Sequence, residues 1–88
     1  MSKPFQNLVV LDQCRETAKE LLGNKYDEVV TTYIKTIQHT MTSKNQNHFE
    51  AMKTIQDTTT LADTLEKKTI FAAALMEIVE EKNLKNLV

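Results

Sequence analysis

Apolar side chains return every three or four residues along most of this chain. That is the period of a helix face, not the strict alternation of a half-buried strand. The densest stretch is Ile70–Val79, Ile-Phe-Ala-Ala-Ala-Leu-Met-Glu-Ile-Val, in which only Glu77 is polar. At about 100° per residue such a run covers nearly the whole circumference of a helix. A helix that is apolar all round must be buried on more than one side, so this segment is read as the element the others pack around.

Upstream, Ser2-Lys3-Pro4 reads as a helix start, because proline suits the first helical position, where its missing N–H costs nothing. Leu8, Leu11, Cys14 (or Arg15), Ala18, Leu21 and Leu22 then form one stripe, widened by Val10. Asp12, Arg15, Glu16, Lys19 and Glu20 fall mostly on the other side, so residues 4–22 are predicted to be an amphipathic helix. Gly23 closes it in the left-handed conformation, and Asn24 is placed to cap the next helix, with Asp27 three residues on. Tyr26, Val30, Tyr33, Ile37 and Met41 mark a second helical face, over residues 25–42. The run Val29–Ile34 is rich in β-branched residues and strand-like by propensity. A strand here has no convincing partner, so helix is preferred.

Thr42–Asn47 is the most polar stretch and reads as a connection. Asn47 followed by Glu50 matches a capping box, and Phe49, Met52, Ile55 (or Gln56) and Thr59 continue a helical face. Asp57-Thr58-Thr59-Thr60 weakens a helix without forbidding it, and Thr60 with Asp63 can cap a new one. Yet Ile55, Thr58, Ala62, Leu65, Thr69 and Ala72 keep helical phase straight through. Either a third helix (47–58) turns into a fourth (60–86), or one helix spans 47–82. The latter would be about 54 Å long, too long for one small chain to cover. The broken version is preferred. Leu84, Leu87 and Val88 continue the last helix in approximate phase beyond Glu80-Glu81, two acids that oppose the macrodipole if the helix ends there.

Composition narrows the class. One glycine and one proline in 88 residues are too few for the turns of a small sheet protein. A chain this short buries only about 60–65% of the surface its unfolded form exposes, so self-association is one way to hide the rest. A net charge of −1, with a single arginine among eleven cations, argues against steering toward nucleic acid and against bidentate phosphate recognition. The lone Cys14 can form no internal disulfide. The N-terminus shows no secretory signal, and no apolar run reaches the roughly 18 residues needed to cross a bilayer. A cytoplasmic protein that does not enter membranes is expected.

Catalytic and metal chemistry finds little support. Cys14 sits on an apolar stripe beside Asp12 and Glu16, the opposite of an activated thiol's surroundings. His39 and His48 flank the polar connection and could face each other with Glu50 or Cys14. No metal-ligand spacing supports that, so surface or capping roles are preferred. Glu77, Glu80 and Glu81 read as a solvated face paired with Lys82 and Lys85, although Glu77, if buried, needs a partner such as lysine or tyrosine. With Gly23 alone, no phosphate-cradling loop is possible. No enzymatic activity, cofactor or metal is expected.

The sequence therefore predicts a single all-α domain, residues 1–88, an antiparallel bundle of three to four helices completed by homo-oligomerisation as a dimer. The expected function is a small non-enzymatic protein–protein interaction module, a regulator, adaptor or inhibitor. Its contact surface is expected to use Tyr26, Tyr33, Phe71, Leu75, Glu77 and Ile78. The reasoning is that a small bundle buries a stripe of each helix and cannot shelter all sides of residues 70–79. The alternative is a DNA-binding regulator with a helix-turn-helix-like region at residues 16–40. Its second helix begins Tyr-Asp-Glu, which puts anions where base and phosphate contacts should start. The C-terminal Asn86-Leu87-Val88 is a lesser candidate as a docking tail.

Overall fold

The structure, a computed structural model, describes residues 8–87 and the side chains of residues 9–81. It contains four α-helices: α1 (Leu8–Leu22), α2 (Tyr26–Lys44), α3 (His48–Thr58) and α4 (Leu65–Leu87). A 3₁₀ turn, Gly23–Lys25, joins the first two. Among the described residues there is no strand, so the protein is all-α. The helical reading of the β-branched run Val29–Ile34 also holds. Within that run Thr32 turns its hydroxyl onto the Glu28 carbonyl at 3.3 Å, as Thr36 and Thr40 do further along the same helix. Bonding of this kind satisfies the hydroxyl inside the helix, and the buried faces of Val30 and Ile37 hold the segment there.

The helix ends show which local signals act. Gly23 has φ +54° with open space where a Cβ would sit, so backbone conformation and not crowding selects glycine there. Asn24 does not cap α2; the residue at that position is Lys25, which makes no side-chain capping bond. The 3₁₀ turn carries the chain directly from one helix to the next, leaving no extended residue to act as a cap. At the far end of α2, Asn45 takes the left-handed conformation (φ 53°), and the Gln46 N–H reaches back to the Met41 carbonyl at 3.0 Å. Asparagine here does what glycine more often does.

The capping box of α3 is complete. Asn47 Oδ1 accepts from the Glu50 N–H at 2.8 Å, and Glu50 Oε1 accepts from the Asn47 N–H at 3.0 Å. Asn47→Ala should cost about 1 kcal/mol of stability, read as a lowered urea midpoint with unchanged slope. An equal loss on Glu50→Ala would show that the two bonds act as one unit.

The chain breaks between Thr58 and Leu65, a longer interruption than the sequence suggests, and α4 is capped by Thr64 instead of Thr60. The Thr64 hydroxyl accepts from the Lys67 N–H at 3.2 Å. The expected helix start at Pro4 lies outside the described residues, as do the side chains of Leu8, Lys82, Leu84, Lys85 and Leu87 and all of Val88.

Helix α4 is the central element. It packs against α1, α2 and α3, most extensively against α1. Ile70 through Leu75 are six consecutive buried residues, followed by buried Ile78 and Val79. Six in a row exceed one helical turn, so α4 is enclosed on every side at this level. Here the expectation fails: one chain does shelter the segment. Ile70, Phe71, Leu75, Ile78 and Val79 are each at most 7% exposed, and only Met76 is half-buried. The reason lies in Ala72-Ala73-Ala74. Three methyl side chains make a thin helix that neighbours approach closely, so three short partners suffice to surround it. No helix among the described residues is long and apolar enough to cross a membrane.

Candidate functional site

The apolar stripes of α1 and α4 meet, and this brings the one arginine of the chain against the one polar residue of the stretch Ile70–Val79. Arg15 lies between buried Leu11 and Ala18 on α1, and its side chain is only 14% exposed. Its Nη1 donates to Glu77 Oε1 at 3.3 Å and lies 2.6 Å from Glu80 Oε2, while Nη2 donates to Asp12 Oδ1 at 2.6 Å. The hydroxyl of Tyr26, at the start of α2, donates to the other Glu77 oxygen at 3.2 Å. Lys19 stands over the Tyr26 ring, 5.7 Å from its centroid. Glu77 thus has the tyrosine partner that its burial demands. The cation, however, comes from α1 and not from a neighbouring lysine.

These contacts shift the ionisation of the groups in consistent directions. The hydrogen bond to Glu80, ahead of the bond to Asp12 and the field of Glu77, holds the Arg15 guanidinium more firmly protonated than usual. The bond from Arg15 in turn holds Glu80 below the ordinary carboxylate range. Burial first, then the Glu77 charge, pushes the Tyr26 phenol well up, so it stays a donor throughout the physiological range. Arg15 Nε is buried with no hydrogen-bond partner among the described residues, an unmet donor that limits what the cluster contributes. The arrangement ties α1, α2 and α4 together. Glu77 is engaged on both oxygens, one by Arg15 and one by Tyr26.

The surface residues expected from the sequence are otherwise core. Tyr26 is 7% exposed, Phe71 2%, Leu75 0% and Ile78 5%. Tyr33 is half-buried with its ring edge-on to Phe71, centroids 4.6 Å apart. The structure brings Tyr26 to Glu77 and Tyr33 to Phe71, but inside the chain. The metal reading also finds no assembly. Exposed His39 lies 3.4 Å from Ser43 Oγ, His48 stacks on Phe49, and no group of three histidines, cysteines or carboxylates suited to a metal occurs among the described residues. The helix-turn-helix outline exists as α1, the 3₁₀ turn and α2, but its second helix opens with buried Tyr26 and exposed Asp27 and Glu28.

No family model, curated protein or solved structure matches the chain.

The accessible apolar surface lies elsewhere. Val10 and Cys14 of α1, Gln56 of α3, and Leu65, Lys68 and Ala72 of α4 line a groove of about 230 Å³. At its edge Leu65 is 81% exposed, and on α1 Val9 is 66% exposed. The Cys14 thiol inside the groove is pushed up by burial, which keeps it protonated and apolar in character. A smaller cleft of about 180 Å³, between α2 and α4, is lined by Thr32, Tyr33, Thr36, Leu61, Lys67 and Phe71. Neither Val10 nor Leu65 could be singled out from the sequence. Both sit at helical spacing that is indistinguishable from core.

Proposed function

We propose that this chain is a small non-enzymatic protein-interaction module of the cytoplasm, a regulator, adaptor or inhibitor, that engages a partner through apolar helix faces. The observation that supports this reading most directly is Leu65, a leucine left 81% exposed beside an apolar groove. An isolated exposed leucine is ordinary. One that borders a groove lined by Val10, Ala72, the Cys14 thiol, Gln56, Lys68 and Thr69 provides both a projection and a recess for a partner side chain. Lys68 at the same groove suits a partner helix with an apolar anchor and an acidic neighbour, the helix-in-groove mode.

The test is capture from native lysate by the wild-type chain, Leu65→Lys and Leu21→Lys. Leu21 is 58% exposed on α1 and does not line the groove, so it controls for added charge. A genuine partner is lost with Leu65→Lys, about tenfold or more in affinity for a central anchor, and kept with Leu21→Lys. Loss with both variants, or with neither, sinks the assignment of the groove.

A further inference from the structure

We propose that the α3–α4 connection is a hinge through which two copies of this chain exchange α4. In the exchanged form residues 48–81 run as one continuous helix, and each α4 docks on α1 and α2 of the other copy.

The sequence carries an uninterrupted helical register through the break. Ala51, Ile55, Thr58, Ala62, Leu65, Thr69, Ala72, Met76 and Val79 follow one another at alternating four- and three-residue spacing. That is the heptad seam of a continuous helix. The only glycine and the only proline lie at positions 23 and 4, and the positive-φ residues are Gly23 and Asn45. The covalent backbone between Thr58 and Leu65 therefore does not oblige the chain to stop.

What holds the break is a set of weak local bonds. The Thr59 hydroxyl donates to the Ile55 carbonyl at 2.6 Å and accepts from the Leu61 N–H at 3.2 Å. Thr64 caps α4, and Ala62 is tucked in at 3% exposed. The Lys67–Asp63 pair, 3.1 Å apart at four-residue spacing, is already compatible with a helix on both sides of Thr64.

Length decides what straightening must do. Thirty-four residues of helix span about 51 Å, against a longest molecular extent of 37 Å. A straightened α3–α4 cannot fold back on its own α1, so the central helix has to find α1 and α2 in a second copy. That copy offers the identical site, so the contacts of α4 with α1, α2 and α3 are recovered between chains. The half-exposed Leu61 and the exposed Leu65 become i,i+4 neighbours on the straightened helix, where the two copies cross. Exchange requires no client protein, and it is separable from the groove reading by the position of the substitution that abolishes it.

The experiment is light scattering of the full chain after refolding at high and at low concentration. Thr59→Ala/Thr60→Ala/Thr64→Ala removes the hydroxyl stops and raises helix propensity. It should increase the dimer constant by about tenfold or more. Thr60→Pro should do the reverse. Thr59 has φ −132° and ψ 169°, the extended conformation a residue before proline prefers, so the closed fold already meets the condition that proline places on its predecessor. A continuous helix does not, and the dimer should fall by about a hundredfold or more. The exchanged dimer should also persist for a long time after dilution, because α4 must leave a buried site before it returns. Circular dichroism confirms that each variant is folded, and Thr60→Gly, a milder helix breaker, serves should the proline variant not fold. A triple-alanine chain that remains monomeric overturns the proposal. So does a dimer that dissociates immediately on dilution, or one that survives both Thr60→Pro and Thr60→Gly. A dimer lost with Leu65→Lys but indifferent to the hinge variants is a surface contact and likewise overturns exchange.

Discussion

Leu75→Ala should destabilise the protein by about 2–5 kcal/mol, the range for truncating a leucine in a core that cannot collapse around the void. Leu75 is 0% exposed, in the middle of the helix that all the others cover. A chain of 88 residues has a total stability of roughly 4–13 kcal/mol at the usual value per residue, so this one change removes a large part of it. Urea unfolding followed by circular dichroism checks the result: the midpoint should fall by more than about 1 M while the slope stays the same. In the closed, unexchanged monomer the loss should also be independent of protein concentration. If Leu75 were completed by a second subunit, the midpoint would rise with concentration, because association and folding would be linked. Leu21→Ala, on an exposed position of α1, should stay within about 0.5 kcal/mol of wild type.

This experiment bears on the point where the sequence is most easily misread. Residues 70–79 are legible as the central element, because nothing but enclosure suits a helix with one polar residue in ten. How many neighbours enclose it is not legible. Apolar character alone gives every position equal girth, whereas Ala72, Ala73 and Ala74, all at most 2% exposed, leave room for neighbours to come close. Local chemistry is legible where it depends on residues three or four apart. Asn47 with Glu50 makes its cap, and Gly23 takes a positive φ. It fails where a neighbouring element supplies the geometry. The 3₁₀ turn displaced Asn24 from its capping role, and the cap of α4 moved to Thr64.

The same division holds for the candidate site. Glu77 was identifiable as a residue in need of a partner, and Tyr26 is one of the partner types expected of it. Arg15 was not identifiable, because its contacts to Glu77 and Glu80 span more than 60 positions and no periodicity reports which helices are adjacent. Tyr26, Tyr33, Phe71, Leu75 and Ile78 lie on apolar helix faces that the sequence offers as a contact surface, and the structure buries all but half-buried Tyr33 within the chain. Sequence pattern alone does not distinguish a face turned to the chain's own core from one turned to a partner. Leu65 opens α4 after a six-residue connection with no glycine or proline to announce it.

Arg15→Met should cost about 1–3 kcal/mol at neutral pH. The estimate is below that for a fully buried ion pair, because the outer carboxylates are half in water and screened. Methionine keeps most of the aliphatic stem between α1 and α4, so the loss reports the guanidinium and not a cavity. The pH dependence separates the charges further. Glu80 has a lowered pKa in the folded chain, so the unfolded chain binds the proton more readily. Its contribution is therefore complete above the unfolded carboxylate value, about 4.3, and disappears as pH falls through the folded value. The difference in stability between wild type and Arg15→Met should accordingly be largest near neutral pH and narrow below about pH 4. At the alkaline end the sign reverses. Tyr26 has a raised pKa, so its contribution is full below the unfolded phenol value, about 10, and is lost as pH rises toward the folded one. Tyr26→Phe should remove that alkaline loss while leaving the acid limb intact. Urea midpoints across the pH range measure both limbs. A constant gap between wild type and Arg15→Met from neutral to acid pH would mean that Arg15 acts through its stem alone, and that the charges at Glu77 and Glu80 contribute nothing to holding α1 on α4.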